Sequence, residues 1–135
     1  MSRSLASKIE AANSAILTNG NLDEIGEYFK SDYVAHLTDA EMTGGHAAIR
    51  QVVGIYRPAF RDIQVDVEIL VKTKDRVAWQ RTVRATHAGH FKGFPATGRP
   101  LAWRDMVTIR FRNGLIAEDW VITDLAERLL LARKR

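Results

Sequence analysis

Cysteine is absent from the 135 residues, which excludes disulfides, thiolate nucleophiles and cysteine metal sites at once. Proline occurs only three times, and no low-complexity segment, internal repeat or linker interrupts the chain. No apolar run approaches the length that spans a bilayer, and the N-terminus lacks the apolar segment of a signal peptide. A cytoplasmic protein with no membrane partner is expected. No His-x-x-x-His or comparable ligand spacing occurs, so no metal site is expected. The Gly93–Gly98 segment lacks the following helix and the lysine of a phosphate loop.

What is present has an ordinary globular balance, with 46% hydrophobic and 27% charged residues. Residues 1–135 are expected to form one domain, long enough to bury a core without staples. The formal charge of +4 raises the question of nucleic acid. Two features argue against that partner. Arg104, Arg110 and Arg112 alternate with apolar residues on one strand and so occupy its solvated face. Arg133-Lys134-Arg135 suits a helix C-terminus, where cations complement the dipole.

Residues 4–18 place Leu5, Ile9, Ala12 and Ile16 at helical spacing, with Ser4 as N-cap and Asn19-Gly20 as stop. Residues 22–30 repeat this on a smaller scale, with Asn21 and Glu24 resembling a capping box. Asp32 to Leu37 reads as a short strand. Gly44-Gly45 breaks the chain before a third helix, whose stripe is Ile49, Val52, Val53, Tyr56 and Phe60, with Pro58 near its end. Ile63 to Val71 alternates as a half-buried strand. Lys74-Asp75 turns into the next strand, Asn113-Gly114 predicts a hairpin between the last two, and Leu125 to Leu131 closes the chain as a short helix. Helices first and a strand meander afterwards indicate an α+β domain, a curved antiparallel sheet packed on N-terminal helices.

The chemistry concentrates between His87 and Asp124. A strand points alternate side chains to opposite faces. One strand puts Val77, Trp79, Arg81, Val83, Ala85 and His87 on one face, and the next puts Leu101, Trp103, Asp105, Val107, Ile109 and Phe111 there. On the last strand the even set, Ile116, Glu118, Trp120, Ile122 and Asp124, is expected to join them, provided no β-bulge intervenes. Each set is largely apolar and carries ionisable groups that a packed core would reject. A pocket is the expected result.

This order of elements resembles the SnoaL-like polyketide cyclases of the nuclear-transport-factor-2-like superfamily. The resemblance covers nearly the whole chain and is clearest from Arg81 through Thr86-His87, the Gly93-Phe94-Pro95-Ala96-Thr97-Gly98-Arg99 turn and the Glu118-x-Trp120-x-x-x-Asp124 ending. It implies a cone-shaped half-barrel with a deep apolar cavity and a homodimeric assembly. It also implies cofactor-free intramolecular aldol closure of polyketide-like esters, with an acid/base aspartate at the position that Asp124 matches.

On that resemblance Asp124 is the expected general acid/base, its pKa lifted by an apolar wall of Trp103, Trp120 and Ile122. The plain alternative is a cap on the following helix. His87 is expected to polarise a substrate carbonyl or relay a proton, or else to be a satisfied core histidine. Arg81 and Asp105 are expected to pair and orient the pocket. With Asp124 they also resemble the Asp-Arg-Asp relay of limonene-epoxide-hydrolase-like relatives, although those carry arginine where Trp103 stands here. Trp79, Trp103 and Trp120 are candidate walls for a flat hydrophobic ligand, joined by Tyr33, His36 and Tyr56 from the helical side. His46 and His90 are expected at the surface. A third possibility is a non-catalytic module that keeps the pocket and only binds a small molecule.

Overall fold

Ser4 opens the first helix as expected, its hydroxyl accepting from Ser7 N at 3.1 Å. The structure, a computed structural model, describes residues 4–38 and 40–133; Lys134 and Arg135 of the basic tail lie outside them. Helix α1 spans Leu5–Ala12 and runs on into a π-helical turn over Asn13–Thr18. Where it begins, the Asn13 side chain donates through Nδ2 to the carbonyl of Ile9 at 2.9 Å, beside the Asn13 backbone N–H on the same oxygen. Arg57 closes the turn by donating Nη1 to the carbonyls of Leu17 and Thr18.

The second expected helix is shorter than its pattern. A 3₁₀ turn over Leu22–Glu24 leads into α2, Ile25–Tyr28, and Asn21 makes no capping bond. Strand β1, Phe29–His36, begins earlier than expected and is followed by the two-residue β2, Glu41–Met42. Helix α3 covers His46–Ala59 with Pro58 in its last turn. Its entry needs Gly45, whose φ is 61° and where a Cβ would stand 1.9 Å from the Ser31 carbonyl oxygen. Strands β3 (Phe60–Lys72), β4 (Arg76–His87), β5 (Pro100–Arg112) and β6 (Leu115–Thr123) follow, and α4, Leu125–Arg133, closes the chain. Among the described residues no helix is long and apolar enough to cross a membrane.

The sheet order is β2-β1-β6-β5-β4-β3, with β1 parallel to β6 and every other neighbouring pair antiparallel. The sheet is mixed, curved and unclosed. Asn113 and Gly114 take positive φ of 53° and 78°, the backbone of a two-residue hairpin that matches strand twist.

One irregularity decides the face of every later residue on β6. Phe111 pairs with Ile116, but the adjacent Arg110 pairs with Glu118, so Ala117 is an extra residue on β6. Ile116 and Ala117 are both buried, and the alternation then restarts out of phase. Beyond this bulge the odd set, Asp119, Val121 and Thr123, faces the helices, opposite Ile109, Val107 and Asp105. The even set faces out. A one-residue slip necessarily exchanges the two faces.

Two apolar clusters fill the inner face. One gathers Ile9, Ile16, Ile25, Tyr33, Trp79 and Ile109 under α1 and the π-helical turn. The other gathers Phe60, Phe91, Trp103, Leu125 and Leu129 near the C-terminal helix. Ile9, Ile25 and Leu125 are among the largest fully buried side chains, each contributing about 2 kcal/mol through removal from water.

Candidate functional site

Five polar side chains meet in the first cluster. Arg81, from the inner face of β4, lies directly across from Asp105 on β5. Its Nε and Nη2 both donate to Asp105 Oδ2, at 2.8 and 2.7 Å. That fork fixes the guanidinium plane, and the group extends over the Trp79 ring, 5.5 Å from its centroid. The remaining branch, Nη1, donates to Asn13 Oδ1 at 3.0 Å. On the far side, Tyr33 of β1 donates its hydroxyl to Asp119 Oδ2 at 2.6 Å.

Asp119 is the unusual member. Burial, opposed by the Tyr33 hydrogen bond and the nearby Arg81 charge, pushes its pKa up to about 6. Its Oδ1 is out of contact with water and makes no hydrogen bond, as is also true of Asp105 Oδ1 and Trp79 Nε1. Burial and the Asp119 charge hold the Tyr33 hydroxyl well above its ordinary range, so it stays protonated and donates. Three unpartnered buried polar atoms around a cationic arginine are costly in a core without a role. A groove of about 470 Å³ between the π-helical turn and β3 opens on Asn13, beside Arg81.

Several residues lie elsewhere than the strand pattern predicted. Asp124 is not on the inner face. Its Oδ1 accepts from Arg104 N at 2.8 Å and its Oδ2 from Arg128 Nε at 3.2 Å, which ties the start of α4 to β5. Asp124→Ala should therefore cost about 1 kcal/mol of stability through lost hydrogen bonds, read as the urea midpoint, and leave turnover intact. A large loss of turnover in a folded variant would contradict this placement.

Trp120 and His36 are also outside the inner face, stacked on each other with centroids 5.0 Å apart and planes 10° apart. His36 bridges Glu41 at 3.0 Å and Glu118 at 2.5 Å, and the Glu118 bond raises its pKa. Ile122 is 63% exposed rather than part of a wall. The bulge at Ala117 accounts for Glu118, Trp120, Ile122 and Asp124 together. His36 follows from pairing with Trp120 in the parallel register.

His87 is on the inner face but not in this cluster. It lies six positions along β4 from Arg81, about 20 Å of extended chain. It is 1% exposed and packs on Phe60, with Trp103 and Tyr56 near by in the second cluster. Burial lowers its pKa, so it is neutral, with Nδ1 3.4 Å from Thr97 Oγ1. His90 is exposed, whereas His46 is half-buried, its Nε2 3.0 Å from the Phe29 carbonyl oxygen.

Asn13 and Asp119 were not singled out by pattern. A signal for the first existed in the sequence, because Asn13 interrupts the apolar stripe one turn after Ile9. For Asp119 none did without the bulge.

A family model described as SnoaL-like polyketide cyclase matches residues 8–130. Among solved structures, IdmH from Streptomyces antibioticus, named as a candidate polyketide cyclase, is 28% identical with a TM-score of 0.78, over 98% of this chain and 100% of that one. AclR from Streptomyces galilaeus, named as a candidate hydroxylase, has the same identity of 28% and TM-score of 0.78, over 98% of this chain and 84% of its own. A candidate polyketide cyclase from Acidithiobacillus ferrooxidans shares the fold at a TM-score of 0.83 and 22% identity, over 98% of this chain and 99% of that one. No curated protein matches the chain. With the family model covering all but the two ends, the chain belongs to the SnoaL-like polyketide cyclase family.

Proposed function

We propose that the Asp119–Arg81 cluster performs cofactor-independent acid/base chemistry, of the aldol or isomerising type, on a hydrophobic carbonyl-bearing small molecule. Asp119 takes the general acid/base role that the family resemblance implied for Asp124. Its Oδ1 accepts the proton of the carbon beside a carbonyl, and the C–H electron pair moves into the enolate. Arg81 supplies positive charge for the enolate oxygen. The enolate carbon then attacks the second carbonyl or is reprotonated, and Asp119 returns its proton to the new alkoxide or carbon. Asp105 orients Arg81. Tyr33 holds Oδ2 and leaves Oδ1 to the substrate. The observation that carries this is an inner-face carboxylate held by Tyr33 through Oδ2, with Oδ1 enclosed and unpartnered; burial lifts its pKa to about 6, which suits a base at neutral pH and an acid in turn.

Support for an epoxide-hydrolase-like relay through Asp105, Arg81 and Asp124 weakens, because Asp124 is hydrogen-bonded to Arg104 and Arg128. A module that only binds has no need of a carboxylate tuned in this way. The test is proton exchange. In D2O at pH 8 the protein should speed deuterium uptake at the acidic carbon of an aromatic β-keto ester, followed by proton NMR. Uptake at the buffer rate would overturn catalysis and favour the binding module.

A homodimer is proposed as well, supported by the outer face of the sheet. There Met106 and Ile122 are direct neighbours, 46% and 63% exposed. Ile122→Asp should give a monomer by light scattering where the wild type gives a dimer; a monomeric wild type would remove the proposal.

A further inference from the structure

Arg81 spends its three donor directions unequally. Nε and Nη2 go to one carboxylate oxygen, Asp105 Oδ2, in a fork that sets the guanidinium plane. Nη1 is turned the other way, towards the helices, and is received by a neutral carbonyl oxygen, Asn13 Oδ1. Asn13 is 8% exposed and is held by its second bond, Nδ2 to the Ile9 carbonyl. Asn13 is also the one member of the polar cluster that lines the groove between the π-helical turn and β3. Ile63, Val65 and Val67 form the apolar side of that groove, and Ser14 and Thr18 its helical side.

We propose that Arg81 Nη1 is the docking point for a neutral carbonyl oxygen of the ligand, and that Asn13 is the specificity-determining residue that occupies this point until the ligand displaces it. This mode of binding rests on the carbonyl chemistry proposed above. An amide oxygen and a ketone oxygen are both uncharged acceptors, so exchanging one for the other leaves the charge of the buried Arg81–Asp105 pair unaltered. An anionic ligand is disfavoured, since the groove lining includes Glu10 and Asp66, the latter paired with Arg84, and no lysine or arginine of its own. The π-helical turn supplies the room to move: its hydrogen bonds are already wider than those of a regular helix, so Asn13 can turn aside without breaking an intact α-helical ladder. The ligand class is therefore a neutral ketone with a flat apolar body, entering carbonyl-first between the helix and β3.

The probes are 1-tetralone, its deoxygenated analogue tetralin, and 1-naphthoate as the anion, titrated by calorimetry at pH 8 into the full chain. Wild type should bind tetralone and neither of the others with comparable affinity. Asn13→Ala removes the competing oxygen and should bind tetralone about five-fold tighter or more, the worth of one displaced hydrogen bond. Asn13→Asp, of the same size, pairs with Arg81 as an anion and should bind tetralone at least about ten-fold more weakly; it carries the test if the alanine variant does not fold. Tetralone affinity unchanged or reduced in Asn13→Ala, unchanged in Asn13→Asp, or matched by tetralin or naphthoate, would overturn the proposal. These equilibrium measurements need no turnover. A chain that binds as expected but shows no deuterium exchange would refute the catalytic proposal alone, and exchange with Asn13 variants unaltered in affinity would refute this one alone.

Discussion

Asp119→Asn will slow deuterium exchange by about a hundredfold or more, the usual worth of a positioned acid/base group, and will also make the protein harder to unfold at pH 8. The two effects share one cause. The carboxylate has an ordinary pKa of 3.8 and a folded value of about 6, so the folded state holds a proton that the unfolded chain has already lost between those pH values. Stability contributed by this group therefore falls as pH rises from about 4 to about 6, and the full cost remains at every higher pH. Two pKa units correspond to about 3 kcal/mol. Asp119 is half-buried as a residue although its Oδ1 is fully enclosed, so a gain of about 2 kcal/mol is the expected result of neutralising it. Asparagine keeps an acceptor for the Tyr33 hydroxyl, so that bond is not lost. Urea midpoints of wild type and variant should diverge at pH 8 and converge below pH 4. The exchange rate of the wild type should rise through about pH 6 as Asp119 becomes the base. A variant with wild-type rate, or with no added stability at pH 8, removes Asp119 from its role.

Asp105→Ala is expected to be the most damaging single change to stability. Asp105 is 4% exposed and receives both forks of Arg81; its loss leaves a cation in the core hydrogen-bonded to Asn13 and without its ion-pair partner. Breaking a buried pair from one side costs about 3 to 5 kcal/mol. The Arg81 side chain keeps 21% of its surface in water, so the lower end, about 3 kcal/mol, is expected. Arg81→Met combined with Asp105→Leu should recover most of that loss, because apolar replacements of similar volume abolish the desolvation penalty of both charges together. The double variant should nevertheless be inactive in exchange. Chemical denaturation of Arg81→Met, Asp105→Leu and the double gives the coupling. If Asp105→Ala unfolds at the wild-type midpoint, the pair is not holding Arg81 in a dry place. If the double variant is active, Arg81 does not serve the enolate.

Much of the arrangement was legible in residue order. Alternation over β4 and β5 places Arg81, Trp79, His87, Trp103 and Asp105 on the inner face, where the structure has them, because the Cβ period of two is dictated by the backbone itself. Asn113-Gly114 identifies the last hairpin for an equally local reason, since both residues accept positive φ. The helices are less legible. The apolar stripe of the N-terminal segment predicts a regular helix to residue 18, and the structure turns π-helical at Asn13, a widening that apolar spacing does not signal.

Residue order alone therefore carries the α+β class, the sheet faces of the regular strands and the Arg81–Asp105 pair. These depend on chain periodicity and on the cost of an isolated buried charge. Which carboxylate of β6 enters the core depends instead on how β5 and β6 pair. The extra residue at Ala117 shifts the pairing by one, sending Asp119 inward to Tyr33 and Arg81 and leaving Asp124 to join α4 to β5. Likewise His87 and Arg81 share a face but not a site, because alternation sets direction and says nothing of the distance along a strand. A bulge is a property of two strands packed together, favoured when both Ile116 and Ala117 can be buried at once, and it leaves no period in the sequence of either strand alone.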